Sequence, residues 1–218
     1  MDAAASDRAP FLAFEGVEGS GKSTQIGHLA AHFRSHEIPF LLTREPGGTP
    51  LGDALRDLLL TPTGSAIDGL TELYLLEASR RTHVHQVILP ALTSGRAVIC
   101  DRYGDSSVAY QGGGRGLGAA LVEALNDQAT ERLRPDLTIL LDVPAEVGLV
   151  RVGRRSGPED RMEREALVFH ERVRQAYLDL ASRRGDRYLL VDAARDEAAV
   201  FGDVLQGIAP LFPQLPTG

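Results

Sequence analysis

The nine residues GVEGSGKST, positions 16–24, constrain this chain more than any other stretch. They lie between an apolar run, FLAF, and QIGHLAAHF, whose apolar residues have helical spacing. Strand, glycine-rich turn and helix in that order make a cradle. Glycines let successive backbone N–H groups curl round an anion, and the following helix adds the positive end of its dipole. Residues 16–23 fit G-x-x-x-x-G-K-[ST]. In that pattern the lysine reaches the β- and γ-phosphates of a nucleotide and the hydroxyl ligates Mg²⁺. Lys22 and Ser23 hold those two places. The pattern has false positives, and its seat between a strand and an amphipathic helix is the context that confirms it.

The chain has 218 residues, enough for one large domain or two small ones, and no linker, internal repeat or low-complexity block divides it. A net charge of -7 and a pI of about 5.4 argue against a protein that coats nucleic acid. They leave room for a local positive cluster around a small anion. Cys100 is alone, so an internal disulfide and a four-cysteine metal site are excluded, and its place in AVIC predicts a buried, inert thiol. No apolar stretch approaches the roughly 18–20 residues of a membrane span. MDAAASDRAP has acidic residues and lacks the apolar core of a secretion signal. Residues 1–10 are therefore expected to form a flexible tail, and the protein to be cytoplasmic.

Apolar runs alternate with helical patterns along the chain. FLAFE (11–15), IPFLLT (38–43), RAVICD (96–101), LTILLD (137–142) and YLLVD (188–192) read as strands. Ile26, Leu29, Ala30 and Phe33 share one helical face. LGDALRDLLL (51–60) and GAALVEALNDQATERL (118–133) are helical, and a long helical region covers 69–94, where Pro90 is expected to kink or break it. Pro144 suits the first turn of another helix. Phe169, Val173, Ala176, Tyr177 and Leu180 mark a core-facing helix, and a last helix starts near Asp196. RVGRRSGPEDRMERE (151–165) is charged, poor in apolar residues, and reads as a mobile segment. Alternation of this kind predicts an α/β fold with a mainly parallel sheet covered on both faces.

Two further stretches carry chemistry. DRYGDSSVAYQGGGRG (101–116) sets Arg102, Tyr103, Tyr110, Gln111 and Arg115 among small residues. Arginine presents a planar fork to phosphate. Tyrosine and glutamine read a sugar or a base edge, and the glycines are expected to let a loop close over a ligand. TREPGGT (43–49) is a second such loop. Both follow strands and should lie on the cradle's side of the sheet, at the carboxyl edge where open α/β sheets bind ligands. Asp101 and Asp142 end strands at that same edge, and either could stand beside Mg²⁺. The guanine-reading N-K-x-D is missing. One nucleotide site beside a second polar pocket suits phosphoryl transfer between two small molecules. An ATPase switch, a non-catalytic nucleotide module and other nucleoside monophosphate kinases are the rival readings.

In order and spacing, FEGVEGSGKST, TREPGGTPLG, DRYGDSSVAYQGGGRG, PDLTILLDVPAEVGL and RRSGPEDRMERE resemble the thymidylate kinases, over about residues 11–192. TREPGG and AYQGGGRG are far more specific than the phosphate cradle. The resemblance implies a P-loop NTPase fold: a five-stranded parallel sheet flanked by helices, in a single kinase domain over 11–212. It implies a mobile lid at about 151–164, with 213–218 left as a tail. It also implies a homodimer without nucleic-acid or membrane partners. The implied reaction is ATP + dTMP to ADP + dTDP with Mg²⁺, a step towards dTTP for DNA synthesis.

By the same resemblance, Gly16, Val17, Glu18, Gly19, Ser20, Gly21, Lys22, Ser23 and Thr24 hold ATP. The dTMP site is expected to use Glu18, Arg44, Glu45, Pro46, Leu76, Arg80, Arg102, Ser106, Ser107, Tyr110 and Gln111. Arg102 would hold the acceptor phosphate, Tyr110 would lie near the sugar, and Arg80 would reach the base. Ser23 and Asp101 would hold Mg²⁺, directly or through water. Lys22, Arg102, Asp101 and Glu18 are the implied catalytic set, with Arg154 or Arg155 acting like an arginine finger in cis. The cradle has no arginine and the lid has Arg151, Arg154, Arg155 and Arg161, so the chain resembles the lid-arginine class. It departs from the family at Leu76, where a stacking Phe is usual; Tyr74, two residues away, should face elsewhere. His83 and His85 read as packing or surface residues, and Phe169 and Tyr177 as core.

Overall fold

The computed structural model describes residues 8–62, 67–154 and 160–215. Its centre is one sheet of five parallel strands: β1 (Phe11–Glu15), β2 (Phe40–Arg44), β3 (Ala97–Asp101), β4 (Leu137–Asp142) and β5 (Tyr188–Asp192). Their spatial order is β2-β3-β1-β4-β5. The three inner strands are the continuous apolar runs, as expected of strands buried on both faces. Alternate residues serve opposite sides. Leu12, Phe14 and Ile99 enter a cluster with Leu29, Phe33, Val173 and Tyr177. Phe11, Ala13, Val98 and Cys100 enter a second one with Val84, Ile88 and Leu92. Cys100 is thus a buried thiol, and burial pushes its pKa up.

Nine α-helices lie among the described residues: α1 (Lys22–Ser35), α2 (Pro50–Leu60), α3 (Gly69–His83), α4 (Leu89–Thr93), α5 (Gly104–Ser107), α6 (Ala119–Thr130), α7 (Ala145–Gly153), α8 (Leu167–Arg184) and α9 (Glu197–Ile208). Local chemistry fixes several starts. Thr49 accepts from the Gly52 N–H and Pro50 follows at the first turn of α2. Asp68 caps α3 through the Leu70 and Thr71 N–H groups, and Asp196 caps α9 through that of Ala199.

Two expectations are corrected. Pro90 does not break the helix after α3. A π-helical turn, Val84–Ile88, comes first, and the Leu89 N–H reaches back to the Val84 carbonyl, so the backbone is already reset where proline lacks its donor. DRYGDSSVAYQGGGRG is not a closing loop: α5 runs into a π-helix, Val108–Gly114, whose residues are mostly buried. Its glycines serve close packing. A Cβ on Gly113 would stand 2.7 Å from that of Ala176, and one on Gly114 would stand 2.5 Å from the Phe169 ring. The described parts of the segment read as mobile make contacts with the rest of the domain. Arg151 belongs to α7, and at the far side the Arg161 N–H bonds the Leu60 carbonyl while Met162 is buried. Described residues at the inner ends of both expected tails also make contacts. Arg8 pairs with Asp136 at 2.8 Å, and Leu215 is buried beside Phe212 in the core.

Candidate active site

The carboxyl edges of β1, β2 and β3 open into one cavity of about 640 Å³. Its walls include Glu18–Gln25 of the cradle, Arg44–Pro46, Asp101–Tyr103, and the Ser106, Ser107, Tyr110 and Gln111 side chains. The two stretches singled out for ligand chemistry therefore share one space with the cradle.

The cradle is tightly fitted. Gly19 has φ +69, and a Cβ there would lie 2.1 Å from the Gly148 carbonyl oxygen; a Cβ on Gly148 would lie 2.2 Å from that of Glu18. Two glycines from distant parts of the chain thus let α7 touch the cradle backbone. Lys22 donates to the carbonyls of Gly16 at 2.9 Å and Val17 at 3.0 Å. Burial, assisted by the nearby Arg102 charge, lowers its pKa to about 8. Ser23 and Thr24 face the open side.

Arg102 is the hub. It has φ +68, a left-handed conformation that costs a non-glycine residue energy and is tolerated where the surroundings enforce it. Its Nη1 donates to the Gly16 carbonyl at 3.1 Å and to Tyr177 Oη at 3.2 Å. Its Nη2 donates to Glu18 and to Tyr110 Oη, each at 3.0 Å. Glu18 accepts from Tyr110 as well, at 2.7 Å, and lies 3.4 Å from His170. Burial alone would raise the Glu18 pKa; Arg102, His170 and Lys22 outweigh it and hold the group far below the usual range.

Beneath this layer sits Glu15, fully buried at the end of β1. It accepts from the Tyr103 N–H at 2.8 Å, Ser106 Oγ at 2.6 Å and Tyr177 Oη at 2.7 Å. Burial raises its pKa to about 7 against the opposing pull of Arg102. Asp101 lies beside the cradle, and its buried Oδ1 has no hydrogen-bond partner among the described residues. Asp142, the other strand-end candidate, is taken up by Arg174 at 2.8 Å.

At the acceptor end, Arg44, Arg56 and Arg102 line the same cavity. Burial lowers the pKa of Arg56, and the charges of Arg44 and Arg102 lower it further. Three guanidinium groups that repel one another across a cavity favour an anion between them. Arg80 is only 2% exposed, and four of its five N–H donors are held at 3.0 Å or less while the fifth has only a 3.4 Å partner. The acceptors are Glu45 at 2.8 Å, Glu77 and Asn126 at 2.6 Å, Ser107 at 3.0 Å and the Tyr103 carbonyl at 3.4 Å. His83 is fully buried and clamps TREPGG, between Glu45 at 2.9 Å and Thr43 at 2.6 Å. Leu76 lines the cavity, while Tyr74 is 55% exposed on another face, as its spacing predicts.

The arginines of the expected lid separate. Arg151 lies against the cradle, donating to Gly19 O at 3.4 Å and Ala193 O at 3.0 Å. Arg161 lines the cavity and bonds Glu72 and the Leu59 carbonyl. Arg154 is exposed at the end of α7, away from the cavity walls. Arg155 lies outside the described residues. Sequence reasoning missed Glu15, Arg56, Glu72, Gln25 and the 193–200 region at the donor end. Only Glu15, a carboxylate ending an apolar strand, offered a signal.

The thymidylate kinase family model matches residues 14–204. A thymidylate kinase of Pseudomonas putida (strain GB-1) is 50% identical over 194 residues, covering 89% of this chain and 92% of that protein. One of Oleidesulfovibrio alaskensis is 48% identical over 208 residues, covering 93% and 98%. The crystal structure of thymidylate kinase from Ehrlichia chaffeensis superposes with a TM-score of 0.72 at 35% identity, covering 91% of this chain and 97% of that one. A match over most of the chain, on a cavity that joins a phosphate cradle to a second anion pocket, places this chain in the thymidylate kinase family.

Proposed function

We propose that the protein transfers the γ-phosphoryl group of ATP to dTMP, giving ADP and dTDP. The carrying observation is the continuity of the cavity: the cradle at one end, Arg44, Arg56 and Arg102 between, and Leu76, Arg80 and Gln111 at the other. A cavity of about 640 Å³ falls within the usual range for small-molecule sites.

The acceptor is a phosphate oxygen, already ionised near neutral pH, so no strong base is required and catalysis is positioning plus charge neutralisation. Lys22 leaves its carbonyl partners for the β- and γ-phosphates. Arg102 turns its fork to the acceptor phosphate, while Glu18, Tyr110 and Tyr177 keep the guanidinium in place. Closure of the lid, with Arg154 or Arg155 reaching the transferring group, excludes water as a competing acceptor.

The residues fit a divalent cation. The unpartnered Asp101 Oδ1 and the exposed Ser23 hydroxyl are hard oxygen donors beside the cradle, the donor type that Mg²⁺ prefers. When bound, Mg²⁺ neutralises charge on the phosphates. Exposed Leu51 and Leu58 on α2, Leu70 and Tyr74 on α3, and Leu121 on α6 support a homodimer through these helices. No helix among the described residues is long and apolar enough to cross a membrane.

A coupled ADP-release assay tests the reading. Release with dTMP should exceed that with dUMP, AMP, CMP or GMP. Equal release with no acceptor would make the protein an ATPase instead.

A further inference from the structure

We propose that Glu72, on the first turn of α3, sets the base selectivity of the acceptor pocket by fixing which way the Gln111 amide faces. The proposal rests on the dTMP reading and adds a positioning residue to it.

Glu72, Leu76 and Arg80 are spaced by four and share one face of α3. Ser107 and Gln111 share the same spacing on the helical stretch opposite. The two rows are tied at both ends. Arg80 Nη2 donates to Ser107 Oγ at 3.0 Å, and Gln111 Nε2 donates to Glu72 Oε1 at 2.5 Å. Leu76 lies between the ties, and all five residues line the cavity.

Glu72 is 1% exposed, unusual for a carboxylate unless it has work to do. Its Oε2 accepts from Arg161 and from Arg115, which balance its buried charge. Its Oε1 is left for Gln111. A carboxylate only accepts, so the amide must turn its NH₂ towards it. The Gln111 backbone is held too, because its carbonyl accepts from the Leu117 N–H at 3.1 Å. The side-chain oxygen has no donor among the described residues and is left for the ligand.

The pocket thereby presents one acceptor, Gln111 Oε1, and one donor, the Arg80 Nη2–H with only a 3.4 Å bond to the Tyr103 carbonyl. The imide edge of thymine or uracil offers the complement, a carbonyl oxygen beside an N–H. The cytosine edge offers an amino group beside a bare nitrogen and mismatches at both places. With the amide reversed, the pocket would show two donors and lose that distinction. Unmatched polar groups in a buried pocket are what give a site strong rejection.

The test compares kcat/KM for dTMP and dCMP in the wild type, in Glu72→Gln, and in the swap Glu72→Gln with Gln111→Glu. In the single variant position 72 can donate, so the amide is free to turn. The preference for dTMP over dCMP should fall at least about 10-fold, through KM for dTMP more than through kcat. In the swap, the carboxylate at position 111 accepts from position 72 and still turns an oxygen to the base, so most of the preference should return. An unchanged preference in the single variant, or a swap no better than the single variant, overturns the proposal. Should circular dichroism show the single variant unfolded, the swap decides alone: recovered preference supports the role and its loss overturns it. A wild type that favours dCMP or a purine acceptor overturns the dTMP reading itself.

Discussion

Tyr177 donates its hydroxyl hydrogen to Glu15 at 2.7 Å, joining residues 162 apart in sequence directly beneath Arg102. The tyrosine is packed like a core residue, yet its oxygen also receives Arg102 Nη1. The fold and the site therefore meet in one side chain, and the charge state of Glu15 matters to both.

Glu15 has a pKa raised from 4.5 to about 7, chiefly by burial. Between those values the folded state holds a proton that the unfolded state has lost. Its contribution to stability is therefore present at low pH and disappears as pH rises through about 7. Glu15→Gln removes this titration. Its stability relative to the wild type should improve as pH rises from 4.5 to 7.5, by on the order of 3 kcal/mol. Denaturant unfolding at a series of pH values measures the difference, and a constant offset would contradict the assignment.

Arg102→Ala should lower kcat/KM for dTMP about 10²- to 10³-fold, the usual cost of losing a charged donor at a transferring group. It should also destabilise the ligand-free protein by about 3 kcal/mol, because Glu18 keeps a buried charge without its partner. Adding Glu18→Gln should restore much of the stability and none of the activity. Recovery of both together would mean that Arg102 serves structure alone.

Leu76 occupies the place where a ring would stack on the base, and it faces the cavity. Base–aromatic stacking contributes roughly 1–3 kcal/mol in single-strand binding. Leu76→Phe should therefore lower KM for dTMP at least about fivefold. An unchanged or higher KM with intact circular dichroism would show a pocket rebuilt around leucine.

The strands, the cradle and the order of helices were legible because each is a local pattern. Phe11, Ala13, Val98 and Cys100 could be assigned to a buried sheet from their apolar runs alone. The cradle needs only the spacing of its glycines, Lys22 and Ser23. What stayed hidden depends on meetings at long range. Gly148 reads as an ordinary helix residue until the Glu18 carbonyl is found against it. Arg56 and Glu72 look like the charged faces of amphipathic helices, and only packing turns them into the cavity. The glycines at 112–114 suggested motion, whereas Ala176 and Phe169 make them a close contact.

The most direct measurement follows the labelled γ-phosphate of ATP in a single turnover with dTMP, in the wild type and in Lys22→Ala. The label should appear in dTDP with the wild type. Its transfer should slow at least about 10²-fold in a folded Lys22→Ala protein, since the lysine supplies charge where it develops. Label released as inorganic phosphate at the same rate with and without dTMP, or normal transfer without Lys22, would contradict phosphoryl transfer at this cradle.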